Sequence, residues 1–368
     1  MSPSLDAIEA VSQRLDIFVA AQRAATAGFG AEAALLVEAG AEALRGGKRL
    51  RGRFLIAGWR AVEDARPARR GDSRPIPDEV VAAASALEVF HAAALVHDDV
   101  IDNSDTRRGK PAAHRALESA HRSADWAGEA AAFGRSGAIL LGDLLVAWSD
   151  DLLEEGLAEA EPAVARAART QYAVMRREVT IGQFLDIAEE SAFTTEPDER
   201  HAERALRVAS LKSARYSIEQ PLAIGAALAG ADAAQLAALS AFGHPLGMAF
   251  QLRDDVLGVF GDESQTGKPS GDDLREGKRT VLIAYTREAL PASARRVVDE
   301  LIGDPQLDAG QIAALQRTII DSGALDRVEA LISDYAISAE RALSGARLDN
   351  AAVGSLRDLA RAATVRTT

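Results

Sequence analysis

Alanine and leucine dominate long stretches of the chain, and no stretch alternates β-branched with polar residues at period two between turn signals. Good helix formers without a strand period predict an all-α protein. Helices are expected over residues 4–25, 31–44, 50–62, 78–102, 138–155, 161–189, 199–228, 233–258, 280–290, 291–302, 309–322, 324–344 and 350–364. The fourth of these reads VVAAASALEVFHAAALV from Val80 to Val96, so it belongs in the core on most of its faces. Polar breaks fall at 63–77, which holds three prolines, at 191–197 and at 261–279. None separates two self-sufficient halves and no internal repeat is visible, so a single domain over 1–368 is expected. A loop of nearly twenty residues such as 261–279 is usually functional in a compact helical protein.

Composition narrows the classes of activity. Of the 368 residues, 55 are acidic and 42 basic, a net charge of −13 that argues against general binding to nucleic acid. There is no cysteine, which excludes disulfides, thiolate nucleophiles and cysteine-held metal centres. Any metal must then be held by carboxylates or by the six histidines. No run of about 18 uninterrupted apolar residues is present, and acids stand near the N-terminus where a signal peptide would be basic and then apolar. A cytoplasmic protein without a membrane span is expected.

Two acidic clusters stand out. The apolar helix that starts near residue 78 ends in HDDVID. Asp98 and Asp102 are four apart, which puts them about 40° apart on one helical face and roughly 6 Å apart along the axis, with Asp99 beside them. Two carboxylates about 4 Å apart repel by roughly 1 kcal/mol in water and about 4 kcal/mol at an effective dielectric of 20. Their position at a helix C-terminus also opposes the dipole. A solvated helix end with incidental acids would explain one such cluster. The second, at Asp254 and Asp255 in AFQLRDDVLGVFGDE, repeats the design and leads into the long polar loop. Hard oxygen ligands without cysteine suit Mg²⁺, which takes one or two carboxylates per ion and completes its shell with water and substrate phosphate. On facing helices, the two clusters would make a metal-lined mouth over an apolar interior.

Basic residues accompany both clusters. GGKRLR offers Lys48, Arg49 and Arg51 at a glycine-marked helix start, where backbone N–H groups also favour an anion. Arg107, Arg108 and Lys110 follow the first cluster, and Lys268, Lys278 and Arg279 follow the second. Any one of them would pass as a solvated loop residue. Together they form the pattern expected for a diphosphate, with carboxylates for Mg²⁺ and cations for the non-bridging oxygens.

With GGKRLRGRF, HAAALVHDDVIDNSDTRRGKPAAH, AILLGDLLVAWS, GQFLDI, LKSARYSIEQPLAIGA and GMAFQLRDDVLGVFGDESQTGKPSGDDLREGKRT in order, the chain resembles the trans-isoprenyl diphosphate synthases over nearly its whole length. The resemblance implies a single large helical bundle of the isoprenoid synthase type with a central apolar cavity. It implies head-to-tail condensation of isopentenyl diphosphate with an allylic diphosphate, three Mg²⁺ ions per active site and a homodimer. Carried over by position, Asp98, Asp99, Asp102 and Asp254 would bind the Mg²⁺ that grips the allylic diphosphate, with Asp255 in support. Arg107, Lys212, Gln251, Lys268 and Lys278 would contact that diphosphate, and Lys48, Arg51, His91 and Arg108 would hold isopentenyl diphosphate. The catalytic set is then Asp98, Asp99, Asp102, Lys212, Gln251 and Asp254. Ser213 and Gln251 would stabilise the cation by polar contact or simply make helix-packing hydrogen bonds. His91 lies seven before Asp98, within about 20° of its face, which favours the site over core packing.

Departures from the family pattern are Gly258 at the last position of the second acidic motif, with water or Asp262 to fill in, Gly52 in place of a proline, and Pro245 inside a helix, where a bend is expected. Two rival activities remain: a class I terpene cyclase, which would not need Lys48, Arg51 and His91, and a non-catalytic subunit of a heteromeric synthase. Ala93 and Ala94 are small, whereas Phe90 lies eight residues before Asp98, about 12 Å along the helix, and would act as the floor for a C20 geranylgeranyl product unless it is plain core packing. Phe90→Ala is expected to lengthen the product in a chain-length assay, and an unchanged product distribution would dismiss the floor.

Overall fold

The computed structural model describes residues 3–66, 75–261 and 270–364. Its contacts group the chain into two compact units, Met1–Ile56 with Asp72–Ala165, and Ala57–Gly71 with Arg166–Thr368. Both are helical. The only strands among the described residues are the two-residue β1 (Thr106–Arg107) and β2 (Lys110–Pro111), paired antiparallel.

The first unit holds α1 (Pro3–Thr26), α2 (Ala31–Ala43), the start of α3 (Leu50–Glu63), α4 (Asp78–Ile101), the hairpin, α5 (Ala113–Ser123) and α6 (Ala130–Leu157). Its centre is α4 against α6. From Val80 to Phe90 every residue of α4 is buried. Gly142, Ser149 and Gly156 recur every seven residues on α6, so they share one face. A Cβ on Gly156 would stand 2.6 Å from the Glu79 carbonyl oxygen, and one on Gly142 would overlap the ring of His97. Between them, Ser149 Oγ donates to the Ala86 carbonyl at 2.6 Å. Small residues at this spacing let α4 lie close along four turns of α6, and the ends of α4 are thereby fixed.

The second unit holds the rest of α3, most of α7 (Pro162–Ala192), α8 (His201–Val208), a π-helical segment Ala209–Glu219, α9 (Gln220–Leu228) and α10 (Ala233–Phe260). It continues through α11 (Asp272–Glu276), α12 (Val281–Ala289), α13 (Ala292–Leu301), α14 (Ala309–Asp321), α15 (Ala324–Ala342) and α16 (Asn350–Thr364). Leu252, Val256, Leu274, Val281, Leu282, Ile312, Leu315 and Val328 belong to its core. Asp232 and Asp308 open α10 and α14 with capping boxes to Gln235 and Gln311, each satisfying otherwise orphaned N–H groups.

Three features differ from the sequence expectation. α5 is additional, because AHRALESAHRS carries one large aliphatic residue, Leu117, and gives little apolar period. The expected helix at 199–228 contains the π segment. The loop at 261–279 is shortened by α11, bounded by Gly271 (φ 76°) and Gly277 (φ 83°). α10 runs unbroken through Pro245. By length and composition α4 and α6 would cross a bilayer; 78% of the apolar window of α4 is buried, against 28% for α6. The first is a core helix, and the second leaves Ile139 and Leu140 exposed.

Gly142→Ala is expected to cost about 1–3 kcal/mol in a denaturant titration, since the His97 ring must leave its seat. Gly142→Ala with His97→Ala should recover part of that loss.

Candidate active site

In the first unit the last turn of α4 carries Asp98 and Asp102, both half-buried, and Asp102 closes the helix with its N–H on the Asp98 carbonyl at 2.8 Å. The chain then reverses through Arg108 (φ 53°) and Gly109 (φ 72°), two consecutive left-handed residues, as a type I′ turn requires. This turn directs two arginines to different tasks. Arg107 Nε donates to Asp99 Oδ1 at 2.8 Å, its Nη2 donates to the same oxygen, and Nη2 also lies 3.6 Å from Asp98 Oδ2. Asp99 is buried, and burial pushes its carboxyl above the usual range against the pull of Arg107. It fastens Arg107 beside Asp98.

Arg108 lies over the glycine loop before α3. Gly46 (φ 67°) and Gly47 (φ 90°) turn the loop, a Cβ on Gly47 would come within 3.2 Å of the Arg108 guanidinium, and Arg108 Nη1 donates to the Arg45 carbonyl at 3.3 Å. Arg49 is not part of the open basic set: it is buried and donates to the Leu44 carbonyl at 2.8 Å and to Ser12 Oγ at 3.4 Å. Lys110 is also diverted, to Glu42 at 2.5 Å. Buried Glu88 on α4 accepts the Gly52 N–H at 2.9 Å, tying the first turn of α3, which carries Arg51, to the helix that carries His91. Burial, followed by the positive charge of Arg51, Arg108, Arg107 and Arg49, holds the His91 imidazole well below its ordinary pKa. Lys48 is exposed on the same glycine loop.

The second unit gathers carboxylates. Lys212 Nζ meets Asp186 Oδ2 at 2.5 Å, and half-buried Ser213 follows it on the π segment. On α10, Gln251 Nε2 donates to Asp255 Oδ1 at 2.6 Å. Burial, then the Asp273 carboxylate, and further Asp254 and Asp186, push the Asp255 carboxyl up to about 8, with the Gln251 hydrogen bond opposing. Asp273 enters through the gap in the second acidic motif: a Cβ on Gly258 would overlap its carboxylate. The space beside Gly258, at the last position of that motif, is thus filled by a carboxylate from α11. Lys278 follows Gly277, donates its N–H to the Asp273 carbonyl at 3.1 Å and pairs with Glu276 at 2.9 Å. Arg279 leaves the basic set, because it is clamped by Asp299 at 2.9 Å and stacked 3.5 Å over the Phe193 ring centroid. Lys268 and Asp262 lie outside the described residues.

The donor chemistry fits Mg²⁺. Among the described residues no three carboxylate or imidazole groups converge on one ion-sized position.

The polyprenyl synthetase family model matches residues 33–319. The chain belongs to that family. It is 31% identical to the geranylfarnesyl diphosphate synthase of Aeropyrum pernix over 81% of this chain and 83% of that protein. It is 32% identical to the geranylgeranyl diphosphate synthase of Sulfolobus acidocaldarius over 69% and 70%. A crystal structure of geranylgeranyl pyrophosphate synthase from Corynebacterium glutamicum, complexed with isoprenyl diphosphate and magnesium, is similar at TM-score 0.89 and 37% identity over 98% of both chains. This polyprenyl synthetase is therefore an all-α trans-prenyltransferase of isoprenoid synthesis.

Sequence reading missed Asp186, Asp273 and Glu88 in this polyprenyl synthetase. Asp186 stands inside the quoted GQFLDI, and Asp273 inside GKPSGDDLREGKRT, so their signal was the motif itself. Glu88 was an acid at a core position of an apolar helix, a residue type rarely buried without a partner.

Asp255 titrates from a folded value of about 8 against an ordinary 3.8, so the folded chain keeps a proton that the unfolded chain loses. Metal-free stability must then fall as pH rises from 3.8 to about 8. Melting temperatures in a chelator across that range should show the fall, and Asp255→Asn should flatten it.

Proposed function

We propose that the chain makes a C20 product from isopentenyl diphosphate and an allylic diphosphate, with Mg²⁺ held by Asp98, Asp99, Asp102 and Asp254 and supported by Asp255. One observation carries this reading. The positive charge of four arginines acts on buried, neutral His91, and the carboxylates of Asp273, Asp254 and Asp186 act on buried Asp255. Buried or half-buried charge of one sign is tolerable when its opposite is brought in. A diphosphate answers the first and Mg²⁺ the second.

When bound, three Mg²⁺ ions supply positive charge to the allylic diphosphate as its C–O bond breaks. The relative from Corynebacterium, complexed with magnesium and isoprenyl diphosphate, supports that cofactor. Around it the side chains hold the leaving group. Arg107, Lys212, Gln251, Lys268 and Lys278 contact the allylic diphosphate, and Lys48, Arg51, Arg108 and His91 hold isopentenyl diphosphate. Because His91 is neutral, it serves as a hydrogen-bond partner and not as a charge. The double bond of isopentenyl diphosphate attacks the allylic carbon, a C–C bond forms, and the proton lost from the new cation passes to the departing diphosphate. No side-chain nucleophile is needed. Electrostatic stabilisation of developing charge carries the rate, and Ser213 and Gln251 add their dipoles toward the carbocation.

Phe90 is buried on α4, as are Ala92 and Ala93, while Ala94 is half-buried. Ala93 and Ala94, the small residues that precede Asp98 on α4, leave room for growth before the Phe90 ring is reached, which supports a C20 chain. The largely unburied apolar window of α6, with Ile139 and Leu140 exposed, supports a homodimer. A single domain over 1–368 completes the proposal.

Purified chain incubated with Mg²⁺, labelled isopentenyl diphosphate and a set of allylic diphosphates should yield a C20 diphosphate. Asp98→Ala should lower kcat/KM by about 10²–10³-fold. A cyclic hydrocarbon product, or no elongation from any primer, would overturn the proposal.

A further inference from the structure

Between α8 and α9 the chain runs through eleven residues of π-helix, Ala209–Glu219. The π-helix is a rare geometry that usually lasts a single turn, so a run of this length needs support from outside itself. Three glycines on the neighbouring helices meet it backbone to backbone. On α7, a Cβ at Gly182 would overlap the amide nitrogen of Lys212. On α10, a Cβ at Gly247 would stand 2.5 Å from the Ala214 carbonyl oxygen and 2.6 Å from its Cα, and one at Gly243 would stand 2.9 Å from the Glu219 Cα. These contacts fall near the start, middle and end of the segment. Each is with main chain, which cannot rotate aside as a side chain would.

Polar contacts from the same stretch of α10 fix the register further. His244, between the two glycines, shares a hydrogen bond with Ser210 Oγ at 2.9 Å, and Ser240 Oγ donates to Glu219 Oε1 at 2.5 Å. The segment carries Lys212, whose ammonium meets Asp186, and Ser213. Helical side chains follow one another at about 100° per residue, so a segment that slipped from π to α register would turn Lys212 well away from Asp186. A displacement of about 1 Å in a reacting group can already cost about 100-fold in rate.

We propose that Gly182, Gly243 and Gly247 are positioning residues that lock residues 209–219 in the π register and so aim Lys212 at Asp186 and the allylic diphosphate. The proposal rests on the role given to Lys212 above. Gly354 on α16 supplies the contrast, since a Cβ there would meet nothing within 4 Å.

The test is a double-mutant cycle on the full chain, read as kcat and KM for the allylic diphosphate. Lys212→Ala and Gly247→Ala are each expected to lower kcat/KM by about 10–100-fold, and the double variant by no more than the worse single one, within about threefold. Gly354→Ala should stay within about twofold of the parent. Should Gly247→Ala not fold, Gly243→Ala, with its milder clash, takes its place in the same cycle. Losses that multiply, or a glycine variant with undiminished kcat/KM, would overturn the glycine proposal while leaving Lys212 in its role. An undiminished Lys212→Ala would overturn that role and the proposal with it.

Discussion

Charge of one sign, concentrated where a protein interior would otherwise reject it, is the constraint around which this chain is built. Asp255 sits among Asp254, Asp273 and Asp186 with its carboxyl pushed up to about 8, and His91 is held neutral by burial and four arginines. Neither arrangement helps the fold. On the proposed function, each is relieved once opposite charge arrives, Mg²⁺ at the first and a diphosphate at the second.

Holding such groups in place requires a scaffold that does not relax around them. The Gly142, Ser149 and Gly156 face of α6 lets α4 approach closely enough to be buried over most of its length, and the last turn of α4 carries Asp98 and Asp102. The type I′ turn at Arg108 and Gly109 then sends Arg107 to Asp99 and Arg108 to the glycine loop. In the second unit, Gly258 makes room for Asp273, and Gly182, Gly243 and Gly247 make room for a widened helix. Across the molecule, glycine supplies close approach where the chemistry must be fixed.

The all-α class and most helix positions were legible because apolar stretches with helical propensity leave little ambiguity when strand periodicity is absent. The acidic and basic sets stood out for a different reason: two pairs of carboxylates, each near the end of an apolar helix and each followed by cations, repeat one design. Arg49, Lys110 and Arg279 were not sorted from their neighbours by sequence, because all are cations near an acidic motif and only their partners, Leu44, Glu42 and Asp299, reveal which way they turn. The π segment was invisible, since its width comes from glycines that lie 24 to 33 residues in sequence from the segment residues they meet, and not from its own residues. Gly258 looked like a deficiency in the second motif until Asp273 was found in its space.

The most direct measurement of whether crowded charge is the receptor is calorimetric titration of the chain with an unreactive allylic diphosphate analogue, at pH 7, with Mg²⁺ and with a chelator, in buffers of different ionisation enthalpy. Tighter binding with Mg²⁺ by at least about 100-fold, accompanied by net proton release as the Asp255 carboxyl ionises, is the predicted result. Equal affinity in the chelator, without proton release, would contradict it.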